Sequence, residues 1–167
     1  QKGKHEWVYD LDITSMYPSI IMSLNISPET KLGKLDSWEA ESFLKGVDKT
    51  YSIKDKNGKE SAKLTTAEFK NFLKDNNVSV SSNGVLYTQD RKGLIPTLLE
   101  KWFDDRVQFR KLAKKFADKG DKEKYAYFDR RQYIQKVVLN SLYGVLGLPV
   151  FRFYDLDNAE ATTLTGQ

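Results

Sequence analysis

The segment "DLDITSMYPSII", residues 10–21, decides the fold predicted for this chain, because an alternating run ends there and a continuous apolar run begins. Upstream, residues 5–13 show the period of two that is typical of a β-strand. On such a strand Asp10 and Asp12 lie on the same face, about 7 Å apart. We therefore predict a strand that presents two carboxylates near its carboxyl end.

The proline indicates where the strand gives way to a helix. A residue before proline is disfavoured in the helical region, and proline is favoured at the first helical position. We therefore expect Tyr17 to be extended and a helix to begin at Pro18. The stretch "ISPET" at 26–30 repeats the pattern, with Ser27 as the predicted cap.

A carboxylate that ends a strand directly before a helix combines two attractions. Asp12 can hold a hard cation such as Mg²⁺, and the amides near Ser15, Met16 and Tyr17 can attract anionic oxygens. A metal site beside a phosphate site is what phosphoryl transfer requires. The alternative for an Asp in this place is a helix cap or a solvated acid, and that is the interpretation we favour for Asp10.

Composition excludes several classes of protein. The 167 residues suit one domain or slightly more. Without cysteine there is no disulfide framework and no thiolate zinc site, and a single histidine, His5, excludes a His-rich metal site. No apolar run approaches the ~18 residues of a membrane span, and the start is not a signal peptide. We expect a cytoplasmic protein without a membrane partner, and part of a longer chain, since it lacks an initial Met.

Positive charge is concentrated in one region. The net charge is +4, but residues 90–136 hold 14 Lys and Arg against 8 Asp and Glu. This excess favours a polyanionic partner, although solvated helices carry similar charge.

The middle of the chain gives weaker signals. Residues 31–83 are predicted to be a variable elaboration, with a turn at 56–58 and a short amphipathic helix over 65–76. On that helix the side chains expected to point inward are Phe69, Phe72 and Leu73. The segment 84–93 is predicted to be a small hairpin.

From Leu94 onward the pattern is helical. Gly120 is expected to end a first helix and Asp121 to cap a second over 122–143, which together predict an antiparallel helical hairpin ended by Gly144 and Gly147. The apolar side chains predicted to face the partner helix are Leu98, Trp102, Phe109, Leu112, Phe116, Ile134, Val138 and Leu142. We expect "PVFRFYD" to be a short strand.

The final segment predicts one more helix. Asp157 and Glu160 have the spacing of a capping box, and capping is the role we predict for Asp155 and Asp157, rather than metal binding.

Two motifs together resemble the family B DNA polymerases. "DITSMYPSII" is similar to the family's palm motif D-x-x-S-L-Y-P-S-I-I, with Met16 in place of Leu, and "NISPET" at 25–30 resembles the T4-like phage branch. "KVVLNSLYG", residues 136–144, matches the fingers motif K-x-x-x-N-S-x-Y-G without a departure. Its residues Lys136, Asn140 and Tyr143 share one helix face, about 200° from Ile134 and Val138.

The resemblance implies template-directed nucleotidyl transfer from a dNTP to a primer 3′-hydroxyl. Asp12 and the Ile13 carbonyl would hold Mg²⁺, two ions in the complete enzyme. The amides of Ser15 and Met16 would hold β- and γ-phosphate oxygens. Tyr17 would pack beneath the sugar, where a ribose 2′-hydroxyl would clash.

The resemblance also gives roles to the fingers. Arg106 and Arg110 match the family's R-x-x-x-K pair, with Arg110 for Lys, and would clamp the triphosphate together with Lys136 and Asn140. Lys136 would also protonate the leaving pyrophosphate. Tyr143 would lie near the nascent base pair.

The implied fold is α+β, a partial palm sheet from which a helical hairpin projects. The predicted divisions are 1–30 as palm with the first motif, 31–93 as palm elaboration and hairpin, 94–147 as fingers, and 148–167 as a return to the palm. Implied partners are primer–template DNA, dNTP, the remaining polymerase domains and a sliding clamp. The implied location is the cytoplasm, that of the host cell for a phage protein.

The family's third motif, D-T-D-S, which supplies a second carboxylate, does not occur in these 167 residues, and neither does an exonuclease motif. We therefore expect the chain by itself to bind Mg²⁺-dNTP weakly without extending primers. The alternatives are a non-catalytic nucleotide or nucleic-acid-binding module, one chain of a split polymerase, and a protein-primed polymerase.

Overall fold

The computed structural model describes residues 15–167, together with Gly3 and Glu6. The strand predicted over 5–13, with Asp10 and Asp12, therefore lies outside the described residues apart from Glu6. The described part combines helices with an antiparallel sheet, which confirms the predicted α+β class.

Six helices and five strands make up the described chain. The helices are α1 (Met16–Leu24), α2 (Ala40–Leu44), α3 (Thr66–Asp75), α4 (Leu94–Asp118), α5 (Lys122–Leu146) and α6 (Leu156–Thr165). The strands are β1 (Lys31–Asp36), β2 (Thr50–Asp55), β3 (Glu60–Thr65), β4 (Val78–Val80) and β5 (Val85–Thr88).

The five strands form one antiparallel sheet in the order β3-β2-β1-β5-β4. The predicted turn at 56–58 joins β2 to β3, where Gly58 adopts a φ of 78°. The hairpin predicted within 84–93 is wrong. That segment holds one strand, β5, which pairs with β4 before it in the chain and with β1 across the sheet. The turn of the actual hairpin lies before this segment, at 81–84, where the Gly84 amide bonds to the Ser81 carbonyl.

Residues 31–83, together with Leu86 of β5, build the first of two hydrophobic cores. Trp38, Phe43, Tyr51 and Phe69 form an aromatic cluster with ring centroids 5.1–6.0 Å apart. The predicted helix over 65–76 is confirmed as α3, and its inward residues Phe69, Phe72 and Leu73 all pack in this core. Thr65 and Glu68 close a capping box at its start.

A second core gathers the rest of the molecule. It is built from buried side chains of α1, β5, α4, α5 and α6, which are Ile21, Val85, Tyr87, Ile95, Leu99, Leu139, Leu146 and Ala161, together with Ile26. Helix α1, through Ile21, and both long helices are therefore held against one another by a shared apolar surface.

The beginning of α1 differs from the prediction. Tyr17 is helical rather than extended, and Pro18 is the third helical residue. The first helical hydrogen bond runs from the Ser19 amide to the Ser15 carbonyl, 2.9 Å. Because the third amide of a helix has no intrahelical acceptor, a proline there costs no hydrogen bond. After α1, "ISPET" forms a single turn rather than a capped helix.

The helical hairpin is confirmed, with corrected faces. Gly120 has a φ of 72° and Asp121 caps α5 by accepting from the Lys124 amide at 3.0 Å. However, Leu98 and Ile134, predicted to face the partner helix, are exposed, and Ile134 is 59% accessible. The buried positions are shifted, to Leu99 on α4 and Leu139 on α5, because these stretches also pack against α1 and α6. Helix α5 also continues through Gly144 to Leu146.

The strand predicted for "PVFRFYD" is wrong. These residues form successive turns, with the Phe151 amide bonded to the Leu148 carbonyl and the Tyr154 amide to the Phe151 carbonyl, each at 2.9 Å. Phe151 and Phe153 pack on the second core from these turns. Alternation of aromatic residues here reflects two anchors of a loop rather than one face of a sheet.

Gly33 offers a direct test of the sheet. It is buried at an irregularity in the β1–β5 pairing, and a Cβ there would lie 2.2 Å from the Lys54 carbonyl oxygen. We expect Gly33→Ala to reduce the free energy of unfolding by about 1–3 kcal/mol, as overpacked sites do. Urea denaturation measures this. Gly144→Ala is the control, since nothing lies within 4 Å of its added Cβ, and it should gain about 0.5–1 kcal/mol. An equal response of both variants would contradict the close approach.

Candidate functional site

Among the described residues, the amino end of α1 has no side-chain cap. Ser15 has a left-handed backbone, φ 55° and ψ 48°, and its side chain makes no capping hydrogen bond. The amides of Met16 and Tyr17 lie in the first turn, where no intrahelical acceptor exists, and Pro18 has no amide hydrogen at all. A left-handed serine is uncommon and costs of order 1–2 kcal/mol. This end of α1 therefore combines backbone strain with uncapped amides and a positive helix dipole.

The two motifs predicted from the sequence meet through an aromatic stack. The rings of Tyr17 on α1 and Tyr143 on α5 lie 4.2 Å apart between centroids, with an interplanar angle of 20°. The Tyr143 hydroxyl is 2.8 Å from the hydroxyl of Thr163 on α6, which itself bonds to the Ala159 carbonyl. Both rings are half-buried. This contact was not predicted, because no local pattern links residues so far apart in the chain.

Arg106 on α4 is the least satisfied charged side chain of the site. Its Nε is buried and has no hydrogen-bond partner within the described part of the chain. Burial, together with the neighbouring positive charge of Arg110, lowers the pKa of the Arg106 guanidinium from its ordinary value. A desolvated cation next to a like charge is unfavourable unless an anion joins it. The Arg106–Arg110 pair is therefore suited to an anionic ligand.

Arg110 extends the same cationic surface outward. It is exposed and lines a shallow recess of α4 together with Val107, Lys111 and Lys114. Each polar side chain in this lining is positive. The local potential thus favours phosphate groups.

Lys136 and Asn140 are exposed on α5, as predicted for a face that looks away from the hairpin core. Between them, Leu139 is only 1% accessible and anchors this part of α5 in the second core. The buried edge is therefore about 70° from the polar face by helical geometry, rather than the predicted 200°. Lys136 and Asn140 project from a rigid stretch of helix.

The second "DLD" sequence is a structural junction. Asp155 caps α6 by accepting from the Asn158 amide at 3.3 Å, as predicted, but Asp157 is not a cap. Its carboxylate pairs with Lys31 at 2.8 Å and with Lys34 at 2.7 Å. Burial opposes ionisation, yet these two lysines hold the pKa of Asp157 below its ordinary value. The pairs join the sheet to α6, and sequence spacing gave no signal for them.

We expect Asp157→Asn to destabilise the chain by about 1–2 kcal/mol at pH 7, because a partly buried carboxylate would lose its bonds to Lys31 and Lys34. A carboxylate with a depressed folded pKa stabilises fully above its unfolded pKa of about 4 and less as the pH falls below it. The difference from wild type should therefore shrink at pH 3 in urea titrations. Asp36→Asn, which breaks only the exposed pair with Lys54, should cost at most about 0.5 kcal/mol. If the free energy of unfolding of Asp157→Asn stayed equally far below that of wild type at pH 3, this prediction would be contradicted.

The residues proposed for metal binding, Asp12 and the Ile13 carbonyl, lie outside the described residues. Within residues 15–167, Gly3 and Glu6, no group of three or more His, Asp or Glu side chains is arranged to hold a metal ion. No helix in this part of the chain is long and apolar enough to cross a membrane.

Comparison with known proteins points to one family. Residues 2–167 match the family model described as DNA polymerase family B. The chain is 27% identical to a DNA-directed DNA polymerase of Enterobacteria phage T4 over 209 positions, which cover 96% of this chain and 21% of that protein. It is 29% identical to a DNA polymerase of Archaeoglobus fulgidus over 167 positions, 100% of this chain and 16% of the relative.

A solved structure agrees. The structure of the family B DNA polymerase from the hyperthermophilic archaeon Pyrobaculum calidifontis superposes with a TM-score of 0.59 and 28% identity, over 90% of this chain and 15% of that one. The chain thus spans 21% or less of these relatives' lengths. Because phage, archaeal and poxviral polymerases match at similar identity, the phage branch stays a prediction.

Proposed function

This chain belongs to DNA polymerase family B, and on that premise we propose that it forms the dNTP-binding centre of a template-directed DNA polymerase. In this proposal α1 and the sheet belong to the palm, and the α4–α5 hairpin forms the fingers. The reaction is transfer of a nucleotide from a dNTP to a primer 3′-hydroxyl during DNA replication. The partners are primer–template DNA and the remaining segments of a polymerase, in the cytoplasm, and in the host cytoplasm if the protein is phage-encoded.

The observation that carries the proposal is the unsatisfied Arg106. A buried guanidinium Nε that has no partner among the described residues, beside the repelling Arg110, is stabilised once phosphate oxygens arrive. Arginine binds phosphate through a fixed fork of donors, which suits a triphosphate. Lys136 and Asn140 add an exposed charge and an amide from α5. Lys136 also donates a proton to the leaving pyrophosphate.

The sugar and base would lie at the aromatic stack. Tyr17 supports the sugar from α1, and its position is fixed by the ring of Tyr143 at 4.2 Å. Tyr143 is held in turn by its hydroxyl contact with Thr163. A ribose 2′-hydroxyl would collide with the Tyr17 ring, so selection for deoxyribose follows from exclusion. The amides of Ser15 and Met16 hold the β- and γ-phosphates.

Asp12 and the Ile13 carbonyl would hold Mg²⁺, for which oxygen donors are suited. When bound, the metal supplies charge neutralisation for the phosphates and activation of the attacking hydroxyl. In this proposal Arg106, Arg110 and Lys136 orient the phosphates toward the amino end of α1.

We propose further that the 167-residue polypeptide binds a dNTP without extending a primer. A second carboxylate of the D-T-D-S type is absent from its sequence. Primer extension by the purified polypeptide, measured on a labelled primer–template, would refute this part.

Nucleotide binding by the chain is the direct test. Saturation-transfer NMR with dATP and Mg²⁺ should give a signal that titrates in the millimolar range. Lys136→Ala should weaken the apparent affinity about three- to tenfold, since a loss of 0.7–1.4 kcal/mol corresponds to about that factor. Lys122→Ala is the matched control, an exposed lysine at the far end of the same helix. Equal affinities for both variants and wild type would overturn the placement of the triphosphate.

A further inference from the structure

The segment after α1 caps a different helix. Asn25 is buried, 3% accessible, and its Oδ1 accepts the Gly93 amide at 2.8 Å, directly before α4. Its Nδ2 donates to the carbonyls of Thr88 at 2.6 Å and Arg91 at 2.8 Å. One side chain thus uses three hydrogen bonds to hold the whole approach to α4.

Glu29 completes the cap. Its Oε1 accepts the Leu94 amide, the first helical amide of α4, while its Oε2 accepts the Ser27 hydroxyl at 2.6 Å. Gly93, the residue in the N-cap position, has no side chain with which to cap the helix itself. The orphan amides at the start of α4 are therefore satisfied from the 25–29 segment, across more than sixty residues of chain.

This junction is tightly packed. A Cβ added at Gly93 would lie 2.6 Å from the Ser27 Cβ, so the two segments touch closely. Asn25 itself has a left-handed backbone, φ 59°, and ends α1, with the following Ile26 amide bonded to the Ile21 carbonyl at 2.9 Å. The end of α1 and the start of α4 consequently form one rigid block.

Helix α4 connects this block to Arg106, so a small change in the direction of the helix moves that side chain. Arg106 lies thirteen residues beyond Gly93 on α4, about 20 Å at 1.5 Å per residue. A tilt of about 5° at the base would displace Arg106 by about 2 Å. A misplacement of about 1 Å, caused by a mutation far from the reacting atoms, can lower a reaction rate about a hundredfold.

We infer that Asn25 and Glu29 are positioning residues, which fix the direction in which α4 leaves the end of α1 and thereby place Arg106 and Arg110. The geometric part of this inference stands on the hydrogen bonds alone. The consequence for nucleotide binding rests on the proposed function.

The lack of native cysteine allows a geometric test of the whole chain. Spin labels at Ser23→Cys on α1 and Lys115→Cys near the far end of α4 would report the angle as a distance distribution. In Glu29→Ala and Asn25→Asp we expect the distribution to broaden or shift by about 3 Å, the same small tilt acting over about 30 Å of helix. Asn25→Asp keeps a residue tolerant of the left-handed backbone but replaces the amide donor with a carboxylate facing two carbonyls.

Two further variants separate positioning from general damage. Glu29→Gln keeps an oxygen for the Leu94 amide and should restore the wild-type distribution. Lys92→Ala removes the nearby exposed pair with Glu100 and should leave it unchanged. An unaltered distribution in both Glu29→Ala and Asn25→Asp would overturn the inference.

Nucleotide affinity, measured without labels, gives the second readout. We expect dATP to bind about tenfold more weakly to Glu29→Ala, with recovery in Glu29→Gln. If the distances shift while dATP affinity stays constant, Asn25 and Glu29 fix the direction of α4 but do not place a nucleotide-binding group, and the consequence for nucleotide binding is overturned. If wild type binds no dATP yet the distances shift, the proposed function fails and the geometric inference holds.

Discussion

Replacing Arg106 by leucine should weaken dATP binding by about 10- to 150-fold while leaving the folded chain at least as stable as wild type. Hydrogen bonds between charged partners contribute about 1.5–3 kcal/mol, which corresponds to that range of affinity. The same change removes a half-buried cation whose Nε has no partner in residues 15–167 and whose neighbour Arg110 repels it. Without ligand, that cation is unfavourable, so a shorter apolar side chain that removes the guanidinium should not destabilise the fold.

Opposite signs for affinity and stability make this prediction specific. NMR titration gives the affinity and urea denaturation the free energy of unfolding, on the same samples. Arg110→Leu is the control. Its side chain is exposed, so it should lose less affinity and gain no stability. If Arg106→Leu destabilised the fold by more than about 1 kcal/mol, Arg106 would be a structural residue and the anion-site interpretation would fail.

Replacing Tyr17 by alanine should reduce discrimination against ribonucleotides by about a hundredfold, equivalent to about 2.7 kcal/mol. The proposed basis is steric: the ring occupies the space that a 2′-hydroxyl needs, and alanine vacates it. The stack on Tyr143 fixes the ring at 4.2 Å, so that it cannot swing aside without losing an aromatic contact.

The measurement is single-nucleotide incorporation by a complete polymerase that carries this segment, as the ratio of kcat/KM for dATP to that for ATP. Tyr17→Phe keeps the ring and should retain discrimination. Tyr143→Phe loses only the hydroxyl contact with Thr163 and should also retain it. If alanine and phenylalanine at position 17 discriminated equally, the steric explanation would be wrong.

Local signals predicted the helical part of this molecule well. The hairpin of α4 and α5 was bounded by Gly120 and Asp121, whose roles depend only on backbone conformation and one capping bond. Helix α3 is likewise predicted by the helical spacing of Phe69, Phe72 and Leu73, which all pack in the first hydrophobic core. Such features are decided within a few residues of sequence.

Features that depend on distant partners were missed or misplaced. The sheet around residues 31–65 is specified by pairing between strands and by an aromatic cluster, neither of which has a local period in a segment rich in Lys, Asp and Ser. Ile134 was placed inward because periodicity finds an apolar arc without knowing how many neighbours surround the helix. The general preference of a residue before proline for an extended backbone predicts an extended Tyr17. In the structure Tyr17 is nevertheless helical, in the first turn of α1.

The site divides in the same way. Lys136, Asn140 and Tyr143 are predicted by the resemblance of residues 136–144 to the fingers motif, and their spacing places them on one helix face. Lys136 and Asn140 are exposed in the structure. The stack of Tyr17 on Tyr143, the unsatisfied Nε of Arg106 and the cap from Asn25 are tertiary contacts. Each of these three features exists only in the folded chain.

Strand β5 lies between the two hydrophobic cores of the molecule. Its alternate side chains serve different cores, with Val85 and Tyr87 on the side of the helices and Leu86 on the side of the aromatic cluster. Strands β2 and β3 contribute only to the latter, so segments inserted there would grow the protein without disturbing the helices that carry Arg106 and Lys136. Alignment with the archaeal relative takes 167 positions and with the T4 relative 209. Because β5 has a different core on each face, a longer β2–β3 region would extend the sheet on the side away from the helices.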